Sequence, residues 1–473
     1  QSFGIKDTIP LPLYAIHTPH PKLLAALKIV SEQPNQKITK KEMARIAEEQ
    51  EIITVNAEQE NHSQARFASL ESNIIAPLEK EWKFVEVEKI VTETITQLET
   101  VTVTNTVYVL PEEYSFTRDG GSTVFYTGQT ARLRMATELK SAMNNTSYTQ
   151  EQINNMFSSG TGFTDTTLDA SGKNVRGKTA TSPIAQSTVR PLFDSWIEEF
   201  TTVVAPSVIA GTTASSGVAG SYTEADGSRT VKVTAKGFEL NQVFSKGLIG
   251  ALQVDQIINN YLSFSKLDGA REDNDTGVYA YTHPDATEAS ITKMEHYWDE
   301  AFGYLQGLDS QFKSGLGNAP NKDSANLNYY LNKINGQDNE AGISDTIYNA
   351  FIAGRAAIVN KDYEERDKQA GIISAEISKV IGYKAHYYLV GGAEDITNGD
   401  WAAALHALSE AYGFILGLQF TKDSSGNPYM SNTEVNDLLS RLSAGNGGFW
   451  ERTVEELNTI ADQVAIATGG LTN

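Results

Sequence analysis

Two segments of the chain carry a histidine and a glutamate four residues apart, followed by two glycines. The first reads HYWDEAFGYLQGL and contains His296 and Glu300, and the second reads HALSEAYGFILGL and contains His406 and Glu410. In a helix, residues at this spacing lie on one face. Imidazole and carboxylate groups bind divalent metals and iron, and helical bundles build such sites from inward-facing His and Glu. We therefore predict that these four residues are metal ligands for a divalent metal or iron.

A second interpretation of the same residues is structural. A buried His–Glu hydrogen bond in each segment would fix the register of the helix without binding anything. The order and spacing also differ from the di-iron pattern, in which His follows Glu by three residues. Asp299 adds a carboxylate to the first segment where Ser409 stands in the second, so the asymmetry leaves room for one functional site. No residue is predicted to be catalytic or to bind an organic cofactor.

The similarity between the two segments extends upstream and indicates a duplication. Residues 244–252 resemble residues 351–359 at an offset of 107 residues, close to the offset of 110 between the histidine segments. Two similar helices in the same order indicate a repeated helical unit. The predicted units are about residues 238–310 and 344–420.

The glycines predict how the two histidine helices pack. Gly303 and Gly307 are four residues apart, as are Gly413 and Gly417. Small residues at this spacing let two helix backbones approach closely. We expect the two helices to cross at these glycines, related by a pseudo-twofold axis, with the His–Glu pairs converging nearby.

The wider pattern predicts a mainly α protein whose residues 111–473 form a duplicated helical-bundle domain. A β-hairpin insertion turns at Asp226–Gly227, a dipeptide typical of tight hairpins. From residue 238 onward, apolar residues recur at helical spacing. The predicted helices are Phe238–Leu262, Ile291–Leu308, Asn326–Ile334, Ser344–Asn360, Ile372–Val390, Trp401–Leu418, Thr433–Leu442 and Trp450–Ala467.

Residues 1–110 form a separate segment with a charged helical stretch and a long strand. Val91–Leu110 alternates valine with threonine and tyrosine over much of its length, which is a strand pattern. Twenty extended residues would span about 65 Å, several times the usual strand. The segment is two shorter strands, a strand followed by an extended arm, or an arm that adds to the sheet edge of a neighbouring subunit, as donor strands do.

Composition excludes several classes of function. The chain has 38 Lys and Arg against 59 Asp and Glu, a formal net charge of −21, which argues against a nucleic-acid partner. It has no cysteine, so thiol catalysis and cysteine-bound zinc are excluded. No window approaches the roughly 20 apolar residues of a membrane span.

The stretch GKNVRGKT (172–179) matches the P-loop letters, but a polar segment precedes it and Pro183 follows, so no nucleotide site is predicted.

Six stretches of the chain form a recognisable combination: YSFTRDGGSTVFYTGQTARLRM from Tyr114, GKNVRGKTA from Gly172, KGFELNQVFSKGLIGAL from Lys236, MEHYWDEAFGYL from Met294, FIAGRAAIVNKDY from Phe351 and HALSEAYGFILGL from His406. Together they resemble a Bacteroidota envelope family known as domain of unknown function 4856. The family has no established activity, and the resemblance implies an extracytoplasmic location: periplasm, cell surface or secreted.

The paired helices are also reminiscent of imelysin-like proteins, a resemblance that implies a role in iron or haem uptake and a partner in the outer membrane. The imelysin motif is G-x-H-x-x-E, whereas this chain has H-x-x-x-E, so no ligand transfers directly. The leading hypothesis is a non-enzymatic extracytoplasmic protein that binds a metal or metal complex. The alternative is a surface or filament subunit that self-associates through Val91–Leu110, and an enzyme comes third.

Overall fold

The computed structural model describes residues 110–277, 291–308, 323–336 and 340–472. The chain divides into two units between Val107 and Tyr108, and every described residue belongs to the second. The N-terminal helical stretch and the predicted strand arm lie outside the described residues, apart from Leu110. The predicted pairing of that arm stays a prediction.

The described residues are mainly helical, as predicted. Their α-helices are α1 (Thr127–Ala142), α2 (Gln150–Asn154), α3 (Thr166–Ala170), α4 (Pro183–Glu199), α5 (Ala205–Ile209), α6 (Leu240–Leu248), α7 (Phe264–Asp268), α8 (Arg271–Thr276), α9 (Lys293–Gln306), α10 (Leu327–Asn335), α11 (Ile343–Val359), α12 (Tyr363–Asn398), α13 (Trp401–Gly417), α14 (Asn432–Leu442) and α15 (Val454–Ala467). Short 3₁₀ turns lie at Arg176–Lys178, Leu418–Phe420 and Gly448–Glu451, and π-helices at Asn155–Ser159, Phe200–Val204 and Ile249–Tyr261.

The predicted helix Phe238–Leu262 is composite. It begins as α6 and continues as a π-helix of 13 residues, which we call the long π-helix. Most π-helices are single turns within α-helices and are frequent at functional sites. The long π-helix carries Asp255, whose carboxylate accepts a hydrogen bond from the hydroxyl of Thr181 at 2.7 Å. It also carries Tyr261, which faces α9.

Two antiparallel hairpins accompany the helices. β1 (Thr117–Arg118) pairs with β2 (Gly121–Ser122), and the connecting Asp119 and Gly120 both have positive φ, as tight hairpin turns require. The predicted hairpin at Asp226–Gly227 is confirmed as β3 (Gly220–Thr223) and β4 (Thr230–Val233).

The helices pack in a reciprocal pattern. α6, from the first predicted repeat, packs against α13 of the second, whereas α11 of the second packs against α9 of the first. The long helix α12 contacts α11, α13 and α15. Such an exchange is what two intertwined copies would give, but the duplication itself stays a prediction. None of the described helices is both long enough and apolar enough to cross a membrane.

The predicted crossing of the two histidine helices at their glycines is wrong. A Cβ atom on Gly303 would collide with the side chain of Tyr126, which precedes α1, whereas a Cβ on Gly413 would lie 2.5 Å from Cβ of Lys246 on α6. Gly417 meets Gly250 of the long π-helix. The glycines of both helices do allow close approach, but those of α9 pack against the segment that begins α1, whereas those of α13 pack against α6 and the long π-helix.

Candidate metal-binding site

The first histidine helix presents an imidazole and a carboxylate side by side. Nε2 of His296 lies 3.6 Å from Oε2 of Glu300, and the two side chains are 13% and 16% exposed. The other oxygen of Glu300, Oε1, accepts hydrogen bonds from Nε2 of Gln129 at 2.7 Å and from the hydroxyl of Tyr261 at 3.0 Å. Gln129 on α1 and Tyr261 on the long π-helix therefore orient this carboxylate and leave Oε2 directed at His296.

The surroundings of His296 favour a neutral, oriented imidazole. Burial lowers the pKa of His296, although Glu300 and a hydrogen bond with the Phe125 main chain act in the opposite direction. A neutral imidazole is the form that binds metals, and ligating histidines usually make a second hydrogen bond with a backbone or carboxylate group that fixes the ring. The phenyl ring of Phe125 also stacks on the imidazole, with ring centres 5.6 Å apart.

Cationic side chains surround this pair without binding Glu300 directly. Nζ of Lys178 lies 3.3 Å from the hydroxyl of Tyr261. Burial lowers the pKa of Lys178, and so do the nearby charges of Arg132 and Lys173, whereas Glu300 raises it. The side chain of Lys173 packs over Gly128 at the start of α1. These cations create a locally positive environment in a strongly acidic chain.

Both lysines come from the GKNVRGKT stretch, which does not form a P-loop. The stretch follows helix α3 rather than a buried strand, and its Arg176–Lys178 portion is a short 3₁₀ turn. Nε of Arg190 on α4 donates to the carbonyl of Thr179, and the amide of Gln256 donates to the carbonyl of Lys178. The loop is thus held against the long π-helix, with Lys178 beside Tyr261 and Lys173 over Gly128.

On the second histidine helix the same two residues are paired with other charged side chains of the protein. Nδ1 of His406 lies 2.6 Å from Oε2 of Glu239, and Nε2 lies 3.9 Å from Oε1 of Glu410. That same oxygen lies 3.1 Å from Nζ of Lys246, which is fully buried, and accepts a hydrogen bond from Tyr330 at 3.3 Å. A protein ammonium group already occupies the position of a cation beside Glu410.

The four predicted ligands do not form one site. Within the described ranges, no group of three or more His, Cys, Asp or Glu side chains is arranged to hold a metal. His296 with Glu300 and His406 with Glu410 are each adjacent on their own helix, but each pair has different neighbours. The two pairs have different neighbours because the glycines of α9 pack against Tyr126, whereas those of α13 pack against α6.

Asp299, which the sequence offered as an additional ligand, is committed to a buried ion pair. Its Oδ1 lies 3.0 Å from Nε of Arg355 and accepts a hydrogen bond from the hydroxyl of Tyr114 at 2.6 Å. Arg355 also pairs with Glu295 at 3.0 Å, and Glu295 pairs with Arg118 of β1 at 2.8 Å. This network connects the first hairpin to α9 and α11.

Burial and pairing move the two carboxylates of the network in opposite directions. Burial raises the pKa of Asp299 to about 6, although Arg355 opposes the shift. Burial also acts to raise the pKa of Glu295, but Arg355 and Arg118 together hold it below its usual range. Desolvation therefore outweighs pairing at Asp299, whereas two guanidinium groups outweigh it at Glu295.

Fold and site together define a mainly α-helical protein with two similar His–Glu pairs: Glu410 of one pair is paired with a buried lysine, whereas Glu300 of the other accepts hydrogen bonds from neutral donors. Residues 111–470 match the family model described as Domain of unknown function (DUF4856). The chain belongs to this family. Its origin in Bacteroidota and its likeness to imelysin-like proteins stay predictions.

Outside the family region, residues 22–100 match the model of the DUF6293 C-terminal winged helix domain. No curated protein matches the chain, and no solved structure matches it either.

Several residues of both sites were not singled out from the sequence. They are Gln129, Tyr261, Lys173 and Lys178 around His296, and Glu239 and Lys246 around His406. All except Tyr261 lie in the stretches that carry the family resemblance. That resemblance is the signal that could have pointed to them, because their spacing along the chain does not.

Proposed function

We propose that this protein is a non-enzymatic extracytoplasmic binding protein that holds a metal or metal complex at His296 and Glu300. One observation carries the proposal: Nε2 of His296 and Oε2 of Glu300 are 3.6 Å apart and are each fixed by other groups. Two ligand bonds of about 2.1 Å at a tetrahedral angle separate their donor atoms by about 3.4 Å. The spacing therefore suits one ion between the two atoms.

The surrounding groups favour a metal complex over a bare ion. Two protein ligands leave most of the coordination sphere open, so water or a bound chelator must supply the other ligands. Arg132, Lys173 and Lys178 repel a bare cation but attract an anionic chelate. A divalent metal or iron bound by an organic anion fits this environment. His296 and Glu300 would bind the metal, and the three cationic side chains would contact the anionic chelator.

The second pair, His406 and Glu410, has a structural role in this proposal. His406 is engaged by Glu239, and Lys246 neutralises Glu410. An additional cation would have to displace a buried ammonium group. The four residues thus divide into one binding pair, His296 and Glu300, and one stabilising pair, His406 and Glu410.

The extracytoplasmic location, a role in uptake and an outer-membrane partner depend on the sequence resemblance alone. Cell fractionation tests the location directly: recovery of the native protein in the cytoplasm would contradict it. Metal binding does not depend on that result.

The test of binding compares two histidine variants with wild-type protein purified without chelator. We expect metal at about one equivalent per chain in wild type and in His406→Ala, but not in His296→Ala. Elemental analysis by plasma mass spectrometry measures the content, and circular dichroism verifies the fold of each variant. Absence of metal in wild type after incubation with iron(II), zinc or ferric citrate would contradict the proposal, as would equal loss in both variants.

A further inference from the structure

A cavity that neither His–Glu pair lines opens between the C-terminal end of α1, the loop after it, β4 and α6. Its volume is about 540 Å³, and each of its nine lining side chains is polar or charged. Cavities of this size accommodate small molecules. No lining residue is aromatic, so a ligand finds no ring to stack on and must be held by hydrogen bonds and charge.

The floor of the cavity contains an uncommitted amide. Asn241, in the first turn of α6, is only 5% exposed, and it lines the cavity. Its side chain makes no hydrogen bond to any residue in the described part of the chain. Buried side-chain amides are normally paired, so this amide offers one donor group and one acceptor to a molecule in the cavity.

Two lysines on different elements border the same space. Nζ of Lys140 on α1 donates to the hydroxyl of Ser324 at 2.5 Å, and Nζ of Lys232 on β4 donates to the carbonyl of Asn144 at 2.6 Å. An ammonium group has three N–H donors, so each lysine retains capacity for a ligand. One carboxylate, that of Asp323, also lines the cavity and accepts a hydrogen bond from Thr137. The charged groups of the lining therefore sum to a net positive charge.

We propose that this cavity binds a small polyhydroxylated organic anion of the uronic acid class. The two ammonium groups would hold the carboxylate, while Asn241 and the neighbouring amides and hydroxyls would bind the ligand hydroxyls. The lack of an aromatic platform disfavours a neutral sugar. None of these residues contacts His296 or Glu300, so the proposal is independent of metal binding.

The test is calorimetric titration of the full chain with three probes: glucuronate, glucose and acetate. Glucuronate carries both hydroxyls and charge, whereas each other probe lacks one of them. For a ligand of this size we expect a dissociation constant of about 1 mM and binding at least tenfold weaker for glucose and for acetate. Equal affinity for glucose and glucuronate would overturn the proposal, and so would no detectable binding of glucuronate.

Variants locate the binding. Asn241→Ala and Lys232→Gln should each weaken glucuronate binding about tenfold, because each removes a hydrogen-bonding group from the cavity. Lys236→Gln is the matched control, since Lys236 also donates to a carbonyl, that of Ser443, but does not line the cavity. If Asn241→Ala unfolds, Lys232→Gln decides the question, because Lys232 is only half-buried and its replacement keeps the buried Val231 and Val233 of β4. Unchanged affinity in Lys232→Gln, or an equal loss in Lys236→Gln, would overturn the proposal.

Discussion

The ammonium group of Lys246 lies 3.1 Å from a carboxylate oxygen of Glu410, and both side chains are buried. Glu300, at the same position of the other histidine helix, instead accepts hydrogen bonds from Tyr261 and Gln129. The two His–Glu pairs therefore lie in different electrostatic environments. One carboxylate is neutralised by the protein, and the other is oriented by neutral donors beside an imidazole.

Lys246→Met should lower the free energy of unfolding by about 3 kcal/mol, because it leaves Glu410 buried without its cation. The double variant Lys246→Met/Glu410→Leu should recover most of this loss, since replacing both partners of a buried ion pair by apolar groups is often neutral. Urea denaturation measures both variants. A double variant as unstable as the single one would show that the ion pair is not the cause.

Arg355→Met should be among the most destabilising single changes, at about 3 to 5 kcal/mol, because two buried carboxylates would lose their shared guanidinium. Arg176→Met is the matched control. Arg176 pairs with Asp194 at 2.7 Å, but both side chains are more than a third exposed, so its loss should cost less than about 1 kcal/mol. Equal effects in urea denaturation would contradict the importance of burial.

Asp299 should make stability depend on pH between about 4 and 6. Its pKa is raised to about 6 from an ordinary value of 3.8, so in this range the folded state binds more protons than the unfolded state. Its contribution to stability therefore decreases as pH rises, by an amount on the order of 3 kcal/mol.

The variant Asp299→Asn removes this titration while keeping a polar side chain. The stability deficit of Asp299→Asn relative to wild type should shrink as pH rises from about 4 to 6. Thermal unfolding at several pH values measures the difference between the two proteins. A deficit that grows with pH would reverse the sign of the prediction.

Gly413→Ala should destabilise the fold, because its Cβ would lie 2.5 Å from Cβ of Lys246 and 2.7 Å from the backbone nitrogen of Gly247. Overpacking of this kind typically costs about 1 to 3 kcal/mol. In contrast, Gly391→Ala on α12 meets no atom within 4 Å and should stabilise the protein by about 0.5 to 1 kcal/mol. Melting temperatures of the two variants should shift in opposite directions.

Tyr261→Phe should weaken metal retention about 10- to 100-fold, since it removes a hydrogen bond that orients Glu300. Tyr330→Phe removes the equivalent hydroxyl from Glu410 and should leave metal retention unchanged. Dialysis against a competing chelator compares the two variants. Equal retention in both would exclude a role for Tyr261 in positioning the ligand.

The sequence predicted the helices well because their signals are local. Apolar periodicity predicts the helices after residue 238 to within a few residues, apart from α12, which is longer than predicted, and the short α7 and α8, which it missed. Periodicity identifies which face of a helix is buried, but not which neighbour covers it. The glycines of α9 and α13 therefore predicted close packing correctly and the packing partner incorrectly.

The candidate site was only half predictable for the same reason. His296 and Glu300 are four residues apart, so their adjacency follows from helix geometry. Tyr261 and Gln129 reach Glu300 from 39 and 171 residues away, and Lys246 reaches Glu410 from another helix. The sequence offered Asp299 as an additional carboxylate because it does not reveal that Arg355, 56 residues away, pairs with that side chain.

Anomalous X-ray scattering from crystals grown with metal shows directly whether His296 and Glu300 hold an ion. We expect one strong peak within about 2.0 to 2.3 Å of Nε2 of His296 and Oε2 of Glu300, and no peak beside His406. A peak beside His406 and Glu410, or no peak at either histidine in metal-loaded crystals, would contradict metal binding by the first pair.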